Sequence, residues 1–324
     1  MVEKGKQFKV LDHGYVTYID SMGTDESIIE AARMSTGRGF EGWEDRTLCT
    51  NCGVDRQNTL SDTCEKTNSS HDWKRKPGDL NLLDFLWRNK HATPFEMCEL
   101  QIEVQAPIMV FREWHRHRTQ SYNEFSARYA VMPDRHYVPD APRFDEVVSA
   151  NKQAASEGKL NHRTSTGATS EALKELVAQE QRDIYAHYSY MLDCGVPKEV
   201  ARLNTPVSRY SKMRAKTDLR NWLAFLNLRM RPNAQYEIRQ YAIAVAEIIK
   251  SIWPRTYELF EEYDMYGASL SRKEIRAIRA ALHSKGDEQW INKELFNTAT
   301  TLGLSESMAN ALLQKILTGG SVIG

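Results

Sequence analysis

Hydrophobic positions change period several times along the chain, and each change predicts an element. The segment FKVLDHGYVTYI (8–19) is β-rich and broken by Gly14, which predicts a bent strand or hairpin. Thr24 or Asp25 then caps a helix carrying Ile28, Ile29 and Ala32 to about Ser35. Residues 36–78 are polar, contain glycine and cysteine, and show no sustained period, so they read as a long insertion. Asp79 is the predicted N-cap of a helix with Leu82, Leu83, Leu86 and Trp87 on one face. The clearest strand follows: Cys98, Leu100, Ile102 and Val104 alternate with Glu99, Gln101 and Glu103, the pattern of a sheet with one wet face. Pro107 opens a helix through Trp114.

Residues 140–170 are polar and rich in Ser, Asn, Gly and Lys, and read as a surface loop. Ser170 is the expected cap of a long helix with Leu173, Leu176, Val177, Ile184 and Met191, ended by Gly195 at C′. A short helix follows Pro197. Two more cover about 217–230 and 234–253, and Pro254 kinks or ends the last. Ser271 and Glu274 form a capping-box signature that opens a run of three short amphipathic helices. The fold class expected is α+β: a central, mainly antiparallel sheet flanked by long helices. The expected organisation is a core over 1–266 and a small helical C-terminal extension over 267–324.

Charge narrows the function. Of 324 residues, 43 are Lys or Arg and 43 are Asp or Glu, a formal net charge of zero. A protein that coats nucleic acid or anionic membrane relies on bulk positive charge, so neither partner is expected. The start MVEKGKQFKV lacks the apolar core of a signal peptide, no apolar run approaches a membrane span, and five cysteines do not suggest a disulfide scaffold. A reduced, cytoplasmic protein is the expectation.

The imbalance is local. Residues 112–118 hold three arginines and two histidines against Glu113. Arginine forks match phosphate bidentately, so anion binding is one reading; a solvated basic helix end, favourable to the helix dipole, is the other. A nucleic-acid module using this patch with a zinc knuckle at 49–71 is a rival that the zero net charge disfavours.

The string RHRTQSYNEFSARY (116–129) resembles the extended signature of the flavin-dependent thymidylate synthases. In the same family order stand AARMS (31–35), HATPFE (91–96), GVPKEVAR (195–202), NLR (227–229) and AQYEIRQYA (234–242). These motifs cover most of 8–35, 79–139 and 171–263. The resemblance implies reductive methylation of dUMP to dTMP. Methylenetetrahydrofolate would donate the carbon and FAD, reduced by NADPH, the hydride, in a homotetramer with active sites between subunits.

Residue by residue, the resemblance implies flavin contacts from Arg116, His117 and Arg118, further ones from Ser35, His91 and Thr93, and Arg220 at the adenine side. Glu124 would lie between flavin and nucleotide. Phe125, Ser126, Ala127 and Arg128 would hold the dUMP phosphate and sugar, with Arg202 as a second nucleotide arginine. Arg229 would activate the uracil by stabilising negative charge at its N3/O2 edge. Ser126 is the other candidate catalytic residue. A serine nucleophile needs a positioned base, however, and hydrogen bonding to the phosphate or sugar is the preferred role. Several positions depart from the family pattern: Glu113 where a glutamine contacts nucleotide, Asp218 and Ala224 where asparagines touch flavin, Asn233 where a histidine lies near it, and Met97 after TPFE.

Outside the family core, Cys49, Cys52, Cys64 and His71 have ligand types and spacing suited to a tetrahedral Cys3His zinc site. The alternative is three free cysteines in a polar loop. Cys98 and Cys194 read as core and helix-end residues.

Overall fold

The computed structural model describes residues 2–59, 61–148, 155–156, 167–283, 286, 288–304 and 306–317. It separates into two compact units, Met1–Met265 and Tyr266–Gly324.

The first unit is built on a five-stranded antiparallel sheet ordered β1-β2-β7-β11-β8. Its strands are β1 (Gln7–Val10), β2 (Gly14–Met22), β7 (Glu99–Pro107), β8 (Ser121–Glu124) and β11 (Tyr210–Asp218). The broken segment at 8–19 is thus a β1–β2 hairpin. Gly14 is required there, since a Cβ would lie 1.8 Å from the Tyr241 hydroxyl and 2.6 Å from the Val10 carbonyl. Alternation in β7 is as expected: Leu100, Ile102 and Val104 are fully buried. On its other face Glu103 pairs with Arg214 (3.1 Å) and Glu99 with Lys216 (2.5 Å) across to β11.

Strand β11 has no counterpart in the apolar pattern. Its inward positions are Ser211, Met213, Ala215 and Thr217, small or polar apart from the methionine, so the strand carries little hydrophobic contrast. Its place comes from pairing with β7 on one side and β8 on the other.

The buried face of the sheet is covered by α4 (Ile108–Trp114), α7 (Leu219–Arg229) and α8 (Tyr236–Ile252). Trp114, Trp222, Phe225 and Tyr241 pack there as one aromatic cluster with ring centroids 4.6–6.5 Å apart. Their polar atoms are satisfied: Trp222 Nε1 donates to the Leu100 carbonyl (3.0 Å), Trp114 Nε1 to Gln120 (3.0 Å) and the Tyr241 hydroxyl to the Gln105 carbonyl (2.8 Å). Around this core lie α1 (Asp25–Arg33), α2 (Asp79–Arg88), α3 (Thr93–Glu96), α5 (Ser170–Asp193), α6 (Lys198–Ala201) and α9 (Pro254–Phe260). Pro254 therefore ends one helix and begins another. Asp25 caps α9 from across the chain, accepting from Arg255 N (2.9 Å), Thr256 N (3.1 Å) and Thr256 Oγ1 (2.7 Å).

Two caps differ from expectation. Thr169, not Ser170, caps α5 through Ala172 N, which frees the Ser170 hydroxyl to donate to Asp145 (2.6 Å). Gly78 is the N-cap of α2, and the buried Asp79 carboxylate turns instead to the Arg33 guanidinium and Glu41 N.

The segment read as an aperiodic insertion holds two small antiparallel pairs. They are β3 (Arg46–Cys49) with β6 (Trp73–Lys76), and β4 (Thr63–Cys64) with β5 (Ser69–Ser70). A further pair, β9 (Val147–Val148) with β10 (Ala155–Ser156), lies within the predicted surface loop, most of which falls outside the described residues. The second unit comprises α10 (Arg272–His283), α11 (Glu288–Thr301) and α12 (Glu306–Leu317). Its capping box is formed, with Ser271 N donating to Glu274 (2.7 Å) and Glu274 N to Ser271 Oγ (3.3 Å). Among the described residues no helix is long and apolar enough to cross a membrane.

Candidate active site

The basic run follows α4 as a tight turn that delivers the chain into β8. The half-buried Tyr122 hydroxyl holds this turn by hydrogen bonding to the His117 (2.8 Å) and Trp114 (3.2 Å) carbonyls. Burial pushes the Tyr122 phenol up to about 12, so it stays protonated as a donor. Arg116 and Arg118 point outward, while His117 turns in with its ring edge-on to Phe225, centroids 4.9 Å apart.

His117 meets Arg229 at the end of α7. Arg229 Nε donates to His117 Nε2 (3.0 Å), Nη1 to the Glu113 carboxylate (2.6 Å) and Nη2 to the Glu113 carbonyl (2.9 Å). The guanidinium is therefore fixed at three points, on a side chain only 12% exposed. Because Nε2 accepts from Arg229, the neutral imidazole carries its proton on Nδ1. Burial, with the Arg229 charge, lowers the His117 pKa to about 4.

A pH effect follows. In the unfolded chain the imidazole takes up a proton below about pH 6.5, whereas in the folded chain it does so only near 4. Between these values the unfolded state binds more protons. Stability is full above pH 6.5 and falls as pH drops toward 4, by about 1–2 kcal/mol for this partly exposed group after solvent screening. His136, lowered by burial and by Arg209, adds an effect of the same sign. Urea denaturation at several pH values should therefore give a shallower slope for His117→Gln than for the parent chain, and equal slopes would refute the assignment.

Beyond the turn, Glu124 ends β8 and accepts from the Ser211 hydroxyl of β11 (2.9 Å). Phe125 N donates to the Lys212 carbonyl (2.8 Å) as the chain leaves the sheet. Ser126 Oγ accepts from Arg128 N (3.3 Å), and no histidine or carboxylate base bonds to it in the described structure. Ala127 is buried with Met132, Tyr188 and Ala201, which docks this segment on α5 and α6. That docking brings Arg128 to Glu199 (3.5 Å, both exposed) on α6, and Arg202 is the half-buried residue that follows α6.

A separate cleft of about 240 Å³ is lined by Leu86, Trp87, His91, Phe95, Arg220 and Ala224, among others. It brings His91 and Arg220 together, apolar walls between them. Arg220 also pairs with Glu96 (3.1 Å). Thr93 is exposed at the start of α3, and Ser35 is exposed on the 3-10 turn after α1, where its hydroxyl donates to the Ala32 carbonyl (3.2 Å). Asn233 is exposed in the turn between α7 and α8.

Among the described residues, His91 and Arg220 share this cleft, while His117 and Arg229 meet elsewhere. Helix geometry explains the split. At 100° per residue, Arg220, Ala224 and Asn227 share one face of α7, while Phe225 and Arg229 lie about 140–180° away. Asp218 is held in a structural role: Oδ1 accepts from Asn221 N (2.9 Å) and Oδ2 from Asn221 Nδ2 (2.6 Å), making it the N-cap of α7. Ser211, Tyr122 and Asn227 are the additions that sequence reasoning missed. Asn227 was visible in NLR, whereas Ser211 sits in the strand that the pattern did not reveal. Burial raises the Cys98 thiol to about 12, a core residue as read, and Cys194 is exposed at the end of α5.

Fold and site define a class: an α+β protein with a five-stranded antiparallel sheet, a clamped arginine at the end of α7 and a separate cleft that Arg220 lines. Within that class, the chain belongs to the thymidylate synthase complementing protein family, whose pattern matches residues 17–255. It is 37% identical over 315 residues to the flavin-dependent thymidylate synthase of Thermus thermophilus, covering 97% of each chain. With the enzyme of that name from Rickettsia bellii it shares 34% over 283 residues, 84% of this chain and 83% of the relative. Among solved structures, a UMP/dUMP methylase from Streptomyces cacaoi bound with 5-Br dUMP superposes with a TM-score of 0.57 at 27% identity, over 81% of this chain and 100% of that one. The same methylase with 5-Br UMP gives 0.58 at 25%, over 79% and 97%.

Proposed function

We propose that this protein is a flavin-dependent thymidylate synthase that methylates dUMP to dTMP. The observation that carries the reading is the clamped Arg229, positioned by Glu113 and by His117 of the RHRTQSYNEFSARY motif. Relatives bearing that name, and the dUMP-binding methylases of the same fold, support it.

The residues present suit the required ligands. A flavin dinucleotide needs cations for its diphosphate and apolar walls for its rings. Arg116 and Arg118 are exposed, and the cleft offers Leu86, Trp87 and Phe95 with His91 and Arg220. When bound and reduced by NADPH, FAD supplies the hydride, and methylenetetrahydrofolate supplies the carbon.

The chain's own work is electrostatic. Guanidiniums have five N–H donors, and Arg229 uses three internally, leaving one on each Nη for the N3/O2 edge of uracil. Charge held there raises nucleophilicity at C5 with no covalent enzyme adduct. Arg128, only loosely paired with Glu199, is free to fork the dUMP phosphate, with Ser126 and Ala127 beside it and Arg202 as the second cation. Ser126 lacks a bonded base and acts as a hydrogen-bonding group, while Glu124, steadied by Ser211, stands between the nucleotide and flavin positions.

A cleft of about 240 Å³ is below the roughly 300–1,000 Å³ of typical small-molecule sites. Exposed Tyr129, Val131, Val200, Leu203 and Val207 lie around the Arg128 and Arg202 segments. Both features support a homotetramer in which another copy completes each site. The protein would act in the cytoplasm on nucleotides, without nucleic acid or membrane partners.

The test is direct. Purified protein should be yellow and should release tritium from C5-labelled dUMP only when both a reductant and methylenetetrahydrofolate are present. A colourless protein that neither takes up FAD nor releases tritium would refute the reading.

A further inference from the structure

Cys49, Cys52, Cys64 and His71 are separated in sequence, but their ligand atoms all lie within 4.8 Å of one another. Cys49 Sγ is 3.8 Å from Cys64 Sγ, and Cys52 Sγ is 3.7 Å from His71 Nδ1. With Zn–S near 2.3 Å and Zn–N near 2.0–2.1 Å, the edges of a tetrahedron are about 3.8 Å for S···S and about 3.6 Å for S···N. Both of those pairs stand at these spacings, and every other pair lies within 4.8 Å.

The backbone around them is built for thiolates. Cys49-x2-Cys52-Gly53 forms a tight turn in which Gly53 N donates to the Cys49 carbonyl (2.9 Å) and Cys49 N to the Val54 carbonyl (2.9 Å). Gly53 takes φ +79°, a conformation that favours glycine. The His71 ring is oriented by stacking on Trp73, centroids 4.5 Å apart and planes 24° apart.

Apart from the β3–β6 ladder and the Thr50–Asp72 hydrogen bond (2.7 Å), the described residues of this segment have little packing to hold them together. Its strands β4 and β5 have two residues each, and its buried hydrophobic residues are Cys49 and Cys64. Below about 40 residues a chain seldom folds on apolar burial alone and needs a disulfide or metal. Its two ends are tied to the core at one place. Asp45 accepts from Gly78 N (2.8 Å), Lys76 pairs with Glu41 (2.9 Å), and Glu41 with Arg33 (2.8 Å). The segment therefore leaves and rejoins the core beside α1 and the Ser35 turn, and can be ordered independently of the sheet.

We infer that Cys49, Cys52, Cys64 and His71 bind one structural Zn²⁺ per chain, which orders residues 46–76 and takes no part in the reaction. Binding three thiolates and a neutral imidazole releases the thiol protons to solvent, with no change of redox state.

The full-length protein, purified under reducing conditions from zinc-supplemented medium, should carry about one zinc per chain. X-ray absorption should show three sulfurs at ~2.3 Å and one nitrogen at ~2.0–2.1 Å. Cys64→Ser and Cys52→Ser should each fall below about a tenth of a zinc per chain, while His71→Cys, with four thiolates, should keep it. Far-UV circular dichroism and trypsin together keep the test valid if a variant is poorly folded. Zinc loss should leave the helical signal of the core intact and confine new cleavage to 46–76. For the parent chain, stripping zinc with a mercurial thiol reagent should reproduce that cleavage without any substitution. Parent protein with less than about a tenth of a zinc, an oxygen-dominated first shell, a Cys49–Cys64 disulfide by mass spectrometry, or undiminished zinc in Cys52→Ser and Cys64→Ser would each overturn the assignment.

Discussion

Arg229→Ala should lower the turnover of dUMP by about 10²–10³-fold, the usual consequence of removing one preorganised donor from developing negative charge. FAD should remain bound, because Arg229 lies across α7 from the cleft that holds His91 and Arg220. Lysine at 229 should rescue little. Its ammonium cannot reproduce the three-point attachment to His117 Nε2, the Glu113 carboxylate and the Glu113 carbonyl while still presenting two donors outward. Steady-state rates with the flavin absorbance of each variant are the measurement, and full activity in Arg229→Ala would remove its assigned role. Because the substitution also leaves the Glu113 carboxylate without its partner, a cycle with Glu113→Gln separates the two effects. If Arg229 acted only by neutralising Glu113, the double variant would recover.

The largest stability effect is expected at a residue with no part in the chemistry. The Asp79 side chain is wholly buried, bonded to the Arg33 guanidinium and to Glu41 N (2.7 Å), and Arg33 is itself only 11% exposed. Asp79→Ala would leave a buried guanidinium with Glu41 alone and an amide without its acceptor. Breaking such a pair from one side costs about 3–5 kcal/mol, far more than the intact pair contributes over an apolar replacement. Asp79→Asn, which keeps an acceptor oxygen, should lose less. Urea denaturation should show the midpoint falling with an unchanged slope, and a midpoint within error of the parent would show that the network is dispensable. The Arg33–Asp79 link also closes the base of the 46–76 segment, so the variant tests the anchor rather than the metal site.

How much of this was legible beforehand differs by element. The β7 alternation, the α1 and α8 helices and the capping box at Ser271 were readable because each shows its period or cap within a dozen residues. Asp79 was misread as a cap because an acidic residue before an apolar helix satisfies that pattern locally. Its actual partner, Arg33, is 46 residues away. Asp218 stands where the family resemblance implies a flavin contact, and the structure adds that its carboxylate caps α7 through Asn221.

By itself the sequence determined the family, through motifs kept in order. It also determined the ligand types of the Cys3His set and the concentration of arginine within a chain of zero net charge. These are properties of local order and residue chemistry. Only the tertiary structure decided that β11 is the strand joining β7 to β8. It alone showed that His117 is held neutral against Arg229, and that four ligands spread over 49–71 meet within 4.8 Å. The physical reason is common to all three. Each depends on which distant segments share a hydrogen-bond ladder, a side-chain contact or a cluster of ligand atoms, and such pairings leave no period in the chain.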